Sequence, residues 1–87
     1  MDKNHFCAIT FPSTHLALRW ETLAIKENLE VKIIPVPRQI SSSCGLAGKF
    51  SCEKLEQVLN LCTGKNIDFE NIYQFPAEKN GKPQLIK

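Results

Sequence analysis

"VKIIPVPRQISSSCGLAGKF", residues 31–50, decides the fold. It opens on a β-branched run, Val31 to Val36, interrupted by Pro35 and stopped at Pro37. β-Branched side chains pack well on a pleated surface, so "VKIIPV" reads as a strand. Pro35 has no N–H for a ladder, which confines that end to an edge or a strand terminus. Pro37 to Cys44 then read as a loop, and "GLAGKF" as a further short strand that Gly45 and Gly48 weaken or mark with a bulge.

Upstream, "HFCAITFPS" supplies a β-prone run from Phe6 to Phe11 that breaks at Pro12. Ser13 follows as an N-cap whose hydroxyl can accept a bond from an unpaired backbone N–H. Leu16, Trp20, Leu23 and Ala24 then fall on one helical stripe, which predicts a helix over residues 14–28 with Trp20 as its core anchor. Downstream, Ser51 is a second N-cap, with Glu53 in the first turn complementing the helix dipole. Leu55, Val58, Leu59 and Cys62 repeat the helical stripe, and Gly64 closes that helix. "DFENIYQF" gives a last strand, and "PAEKNGKPQLIK" a polar, fraying tail. The order is β-α-β-β-α-β. It predicts an α+β, ferredoxin-like domain over residues 1–76, a four-stranded antiparallel sheet with two helices on one face, and a tail over residues 77–87.

At 87 residues the chain has room for one core, and a hydrophobic fraction of 43% is enough to build it. Eleven basic and nine acidic residues are spread evenly, giving a net charge of +2 and no Lys/Arg run. That pattern disfavours nucleic acid as a partner. No apolar run approaches the roughly 18 residues of a membrane span, and the N-terminus has no apolar signal segment. The expectation is a cytoplasmic protein whose Cys7, Cys44, Cys52 and Cys62 stay reduced.

The cysteines separate by context. Cys7 alternates onto the same strand side as Ile9 and Phe11, and Cys62 lies on the apolar stripe of the second helix, so both read as core residues. Cys52 follows the Ser51 cap, where backbone N–H groups stabilise a thiolate, which makes it a secondary thiol candidate. Cys44 lies on no apolar stripe; its neighbours are Ser42, Ser43 and Gly45, and Gly45 allows backbone conformations and close approach that a side chain forbids. Arg38, and less directly Lys49, would favour its thiolate if the loop folds back. Cys44 is the candidate for chemistry. No C-x-x-C knuckle is present, and although His5 and Cys7 alternate on one strand face, no metal site is expected. "GLAGKFS" is no P-loop, since only two residues separate its glycines and Phe50 follows Lys49.

The stretch from "TFPSTHLAL" through Glu21 to "IIPVPRQISSSCG", with the short second helix, resembles the family called putative selenium/sulfur carrier protein-like over about residues 5–75. "PVPRQISSSCG" is its specific part. The resemblance implies a thiol carrier that accepts a persulfide or selenopersulfide on Cys44 and passes it on. Sulfur or selenium donor and acceptor proteins would be its partners, no cofactor would be needed, and the chain would act as a stoichiometric carrier rather than a turnover enzyme. Ser41, Ser42 and Ser43 would donate hydrogen bonds to a bound anion. Two other readings stand beside it. One is a non-catalytic ligand-binding or protein-interaction module using the "PRQISSSCG" loop through Arg38 and the serines. The other is a redox enzyme pairing Cys44 with Cys52. An exposed sheet face or edge strand would also invite a homodimer.

Overall fold

The computed structural model describes residues 6–40, 42–76 and 82–87. Strand β1 (Phe6–Thr10) leads into helix α1 (Thr14–Lys26), strands β2 (Val31–Pro35) and β3 (Leu46–Phe50), and a single 3-10 turn at Cys52–Lys54. Helix α2 (Leu55–Gly64) and strands β4 (Asn71–Phe75) and β5 (Gln84–Leu85) complete the chain. The strands form one antiparallel sheet in the order β2-β3-β1-β4-β5. The architecture is therefore α+β with two helices, and the sheet has five strands rather than the four expected. The fifth comes from residues read as polar tail: Gln84 and Leu85 pair with Gln74 and Tyr73, and the Ile86 N–H donates to Ile72 O at 2.8 Å. A two-residue strand carries no alternating pattern, so only its pairing reveals it.

Both helices begin and end by local rules. The Ser13 hydroxyl accepts from Leu16 N–H at 3.3 Å to cap α1, and Ser51 accepts from Glu53 N–H at 3.4 Å to cap the 3-10 turn before α2. At the C-terminus of α1, Asn28 takes φ +62°, and Leu29 N–H reaches back to Ala24 O at 3.0 Å. Asn66 (φ +54°) does the same after α2, with Ile67 N–H on Cys62 O at 2.9 Å. In each case an asparagine adopts the left-handed conformation, the last carbonyls are satisfied, and a buried apolar residue (Leu29 or Ile67) follows. Gly64, expected to close α2, is its last helical residue. Two residues later Asn66 takes the left-handed turn that leads the chain away.

Alternation along the strands separates two apolar layers. Cys7, Ile9 and Phe11 face one side, where they pack with Ala17, Trp20 and Ala24 of α1 and Val58, Leu61 and Cys62 of α2. The two cysteines read as core residues are therefore in the core. Trp20 lies fully buried between Phe11 and Phe50, with ring centroids 5.6 and 6.2 Å away. The helix-free side holds a smaller cluster of Ala8, Ala47 and Phe75 with Phe6, Ile34, Val36, Ile40 and Tyr73 around it. Gly48 pairs in regular register with both Ile9 and Ile33, so β3 carries no bulge there. Pro35 ends β2, an edge strand, where its missing N–H costs no ladder bond. Among the described residues no helix is long and apolar enough to cross a membrane.

Candidate functional site

The loop joining β2 to β3 is closed at its base by the Val36 N–H donating to Gly45 O at 3.1 Å. Gly45 sits at φ +77°, the left-handed region that favours glycine, and its backbone is what turns the chain into β3. A short turn, Ile40 N–H to Pro37 O at 3.1 Å, shapes the outer part. Val36 and Ile40 pack on the helix-free cluster, whereas Cys44 packs against the helix-side core. The loop thus grips the sheet from both sides.

What fixes the tip is a residue from far along the chain. The Glu70 N–H donates to Thr10 O at 2.7 Å, and the Thr10 side chain bonds both the N–H and the carbonyl of Asn71. This seats Glu70 at the mouth of β4, beside the loop. Its carboxylate accepts from Ser43 Oγ at 2.5 Å, Ser43 N–H at 3.0 Å and Ser42 Oγ at 3.3 Å. The Ser42 hydroxyl also lies 3.2 Å from Phe11 O, so one proton serves two acceptors across three segments. Hydrogen bonds from the Ser43 side chain, then its backbone, then Ser42, hold the Glu70 carboxyl below the usual carboxylate range. Ser42, Ser43, Glu70 and Asn71 line a shallow depression at this point.

Cys44 is half-buried next to that anchor. Its Sγ lies 3.3 Å from Leu46 O, to which the thiol can donate, and accepts from the Leu46 N–H at 3.4 Å. Ser42 Oγ is 3.8 Å from the sulfur and accepts from the Cys44 N–H at 3.4 Å. The sulfur is therefore tied into the loop's own backbone and reaches Glu70 through Ser42. It has places both to donate and to accept, as a thiol needs and as a substituted sulfur could still use.

The sequence-predicted residues divide on this geometry. Ser42, Ser43, Cys44 and Gly45 are brought together. Ser41 lies outside the described residues, as does His5. Arg38 is exposed in the turn and is not among the polar contacts of Cys44. Lys49 points to the opposite side of the sheet, its Nζ 4.7 Å from the Phe6 ring centroid. The charge that reaches the loop is that of Glu70, opposite in sign to the one expected. Nothing local in "DFENIYQF" marks Glu70; the β1–β4 pairing delivers it. Cys52 lies beyond the far end of β3 from Cys44. Five intervening strand residues span roughly 15 Å, whereas a disulfide needs Cα atoms within about 7 Å. The two cannot act as a nucleophile and resolving pair within one chain. A larger cavity, about 490 Å³, opens between the helix ends around Glu27, Leu29 and Lys65, but no cysteine lines it. Chemistry, not cavity size, selects the loop.

The Glu70 anchor has a pH signature. Its folded pKa is lowered, so its contribution to stability is complete above the unfolded value of roughly 4.3 and is lost as pH falls through the folded value. Glu70→Gln is expected to lower the melting temperature slightly at pH 7 and to expose the Ser43 amide to faster hydrogen exchange. The gap to the native protein should close below about pH 4. A gap that persists unchanged in acid would rule out the carboxylate as the anchor.

No curated protein sequence and no solved structure matches the chain. A family model does match, over residues 6–74, which run from the first residue of β1 almost to the end of β4 and take in the whole Cys44 loop and Glu70. By that match the chain belongs to the family described as Putative Se/S carrier protein-like.

Proposed function

We propose that the protein is a thiol-based carrier that takes a sulfur or selenium atom on Cys44 and passes it to an acceptor thiol. One observation carries the reading: a half-buried sulfur, fixed in an anchored loop, with the Leu46 N–H and the Ser42 hydroxyl in reach. Family membership supports the same cargo. The Cys44 thiol gives up its proton, and its sulfur attacks the terminal sulfur of a donor persulfide, R–S–SH, or the selenium of R–S–SeH. The donor's bond breaks, R–S⁻ leaves and takes the proton, and Cys44–S–SH or Cys44–S–SeH remains. One persulfide replaces another, so no external oxidant or reductant is consumed. Transfer to the acceptor repeats the exchange in the other direction.

In this reading the Leu46 N–H stabilises charge on the attacking sulfur, as charge-assisted hydrogen bonds do. Glu70 holds Ser42 and Ser43 in place, and Gly45 sets the turn. Arg38, exposed at the loop's outer edge, is the contact for a donor or acceptor protein. The first four strands and the two helices serve as a ferredoxin-like frame with one added edge strand. The carrier works in the cytoplasm without cofactor or nucleic acid. The alternative is a non-catalytic ligand-binding or protein-interaction module using the same loop, for which an anion is the least suited ligand. The Ser42 and Ser43 hydroxyls already donate to Glu70, and a carboxylate beside the loop repels an anion. The test is loading of the reduced protein with a low-molecular-weight persulfide, followed by peptide mass mapping. Cargo on the Cys44 peptide is the expected result; cargo on Cys52 alone, or none, overturns the reading.

A further inference from the structure

At the other end of β3 lies a second pair of sulfurs that the carrier reading does not use. Register sets Cys7 opposite Phe50, and the 3-10 turn at Cys52–Lys54 begins two residues after Phe50. The turn leaves Cys52 packed on the helix-side core that contains Cys7. Phe50 and Cys52 are two residues apart and both reach that core, so Cys52 lies diagonally across from Cys7 on the same side of the sheet. Cys7 is fully buried, whereas Cys52 keeps partial contact with solvent. All four cysteines are thiols in this structure.

We propose that Cys7 and Cys52 are a redox-active dithiol that closes to an intramolecular disulfide with small-molecule disulfides as oxidant. A disulfide needs Cα atoms within about 7 Å, and a diagonal pair across neighbouring antiparallel strands lies at about that separation. The accessible Cys52 reacts first: its thiolate attacks R–S–S–R, the S–S bond breaks, and R–S⁻ leaves. The Cys7 thiol then gives its proton to R–S⁻, and its sulfur attacks the Cys52 sulfur and expels a second R–S⁻, which takes up the proton that Cys52 released. Two thiols are oxidised by two electrons and one R–S–S–R is reduced to two R–SH. Burial, with the Cys52 thiol beside it, pushes the Cys7 thiol well above the ordinary range, so Cys7 acts through proximity and not as the leading nucleophile. The bond would tie β1 to the start of α2 and close a loop of some 45 residues.

The experiment oxidises the intact protein with glutathione disulfide and maps peptides without reduction. The expected product has lost two hydrogens, links the Cys7 and Cys52 peptides, melts roughly 10 °C higher and reverts with dithiothreitol. Cys44→Ser should form the same link, and Cys52→Ser should fold yet form none. A stable glutathione adduct on Cys52, or a link that involves Cys44 or Cys62, overturns the proposal.

Discussion

Replacing Cys44 by serine is expected to abolish loading by a persulfide donor and to leave the fold intact. The hydroxyl of serine can keep the donor and acceptor positions that the sulfur occupies between Leu46 O and the Leu46 N–H, so the loop retains its closure. Cys44 is only half-buried, and a substitution of that kind changes stability by no more than about 1 kcal/mol. An alkoxide is a far weaker nucleophile than a thiolate at neutral pH, and oxygen cannot hold a transferable sulfane atom. Intact mass after donor treatment should therefore match the untreated variant, while the native protein gains one sulfur or selenium atom. A Cys52→Ser control should keep its loading, because Cys52 lies past the other end of β3. Full loading of Cys44→Ser would remove the carrier reading altogether, whatever its effect on stability. The same variant should still form the proposed Cys7–Cys52 disulfide, so the two proposals fail or survive separately.

Gly48→Ala is expected to cause a large loss of stability from a single added methyl group. A Cβ at residue 48 would collide with Cζ3 of the Trp20 ring and lie 2.6 Å from Cη2 and 2.9 Å from Cε3. The ring cannot swing away, since it is fully buried and flanked by Phe11 and Phe50. Nor can β3 retreat, since Gly48 is paired on both sides, with Ile9 and Ile33. Overpacking of this kind costs about 3 kcal/mol, a large share of the roughly 4–13 kcal/mol available to a chain of this length. The melting temperature should fall by about 15 °C. Gly64→Ala is the contrast: nothing lies within 4 Å of its Cβ, and the change is neutral or stabilising by up to about 1 kcal/mol. Equal melting of Gly48→Ala and the native protein would mean that Trp20 does not rest on β3.

The same glycine shows where reading from sequence runs short. Gly48 was expected to weaken a strand or bulge it, because a glycine has no side chain to pack. In the structure its emptiness is filled by an aromatic ring from α1, twenty-eight positions earlier in the chain. Gly45 was legible, because a glycine after a polar loop announces a turn and its φ of +77° makes one. The helix stops were half legible. A glycine is the commonest left-handed residue, yet Asn28 and Asn66 do that work here because each is followed by an apolar residue that the core accepts.

The local code of this chain determined its elements: two capped helices, the strands around Ile9, Ile33, Ala47 and Ile72, the inward sides of Cys7 and Cys62, and a glycine-hinged loop carrying Cys44. Periodicity, capping and turn chemistry act over a few residues, and a few residues suffice to read them. Tertiary structure alone decided that Glu70 is the anchor of Ser42 and Ser43, that Cys52 packs on the core beyond the far end of β3 from Cys44, and that residues 84–85 return as a fifth strand. Each of these depends on which strands lie side by side, a choice made by the burial of the whole sheet. No short stretch of sequence records it.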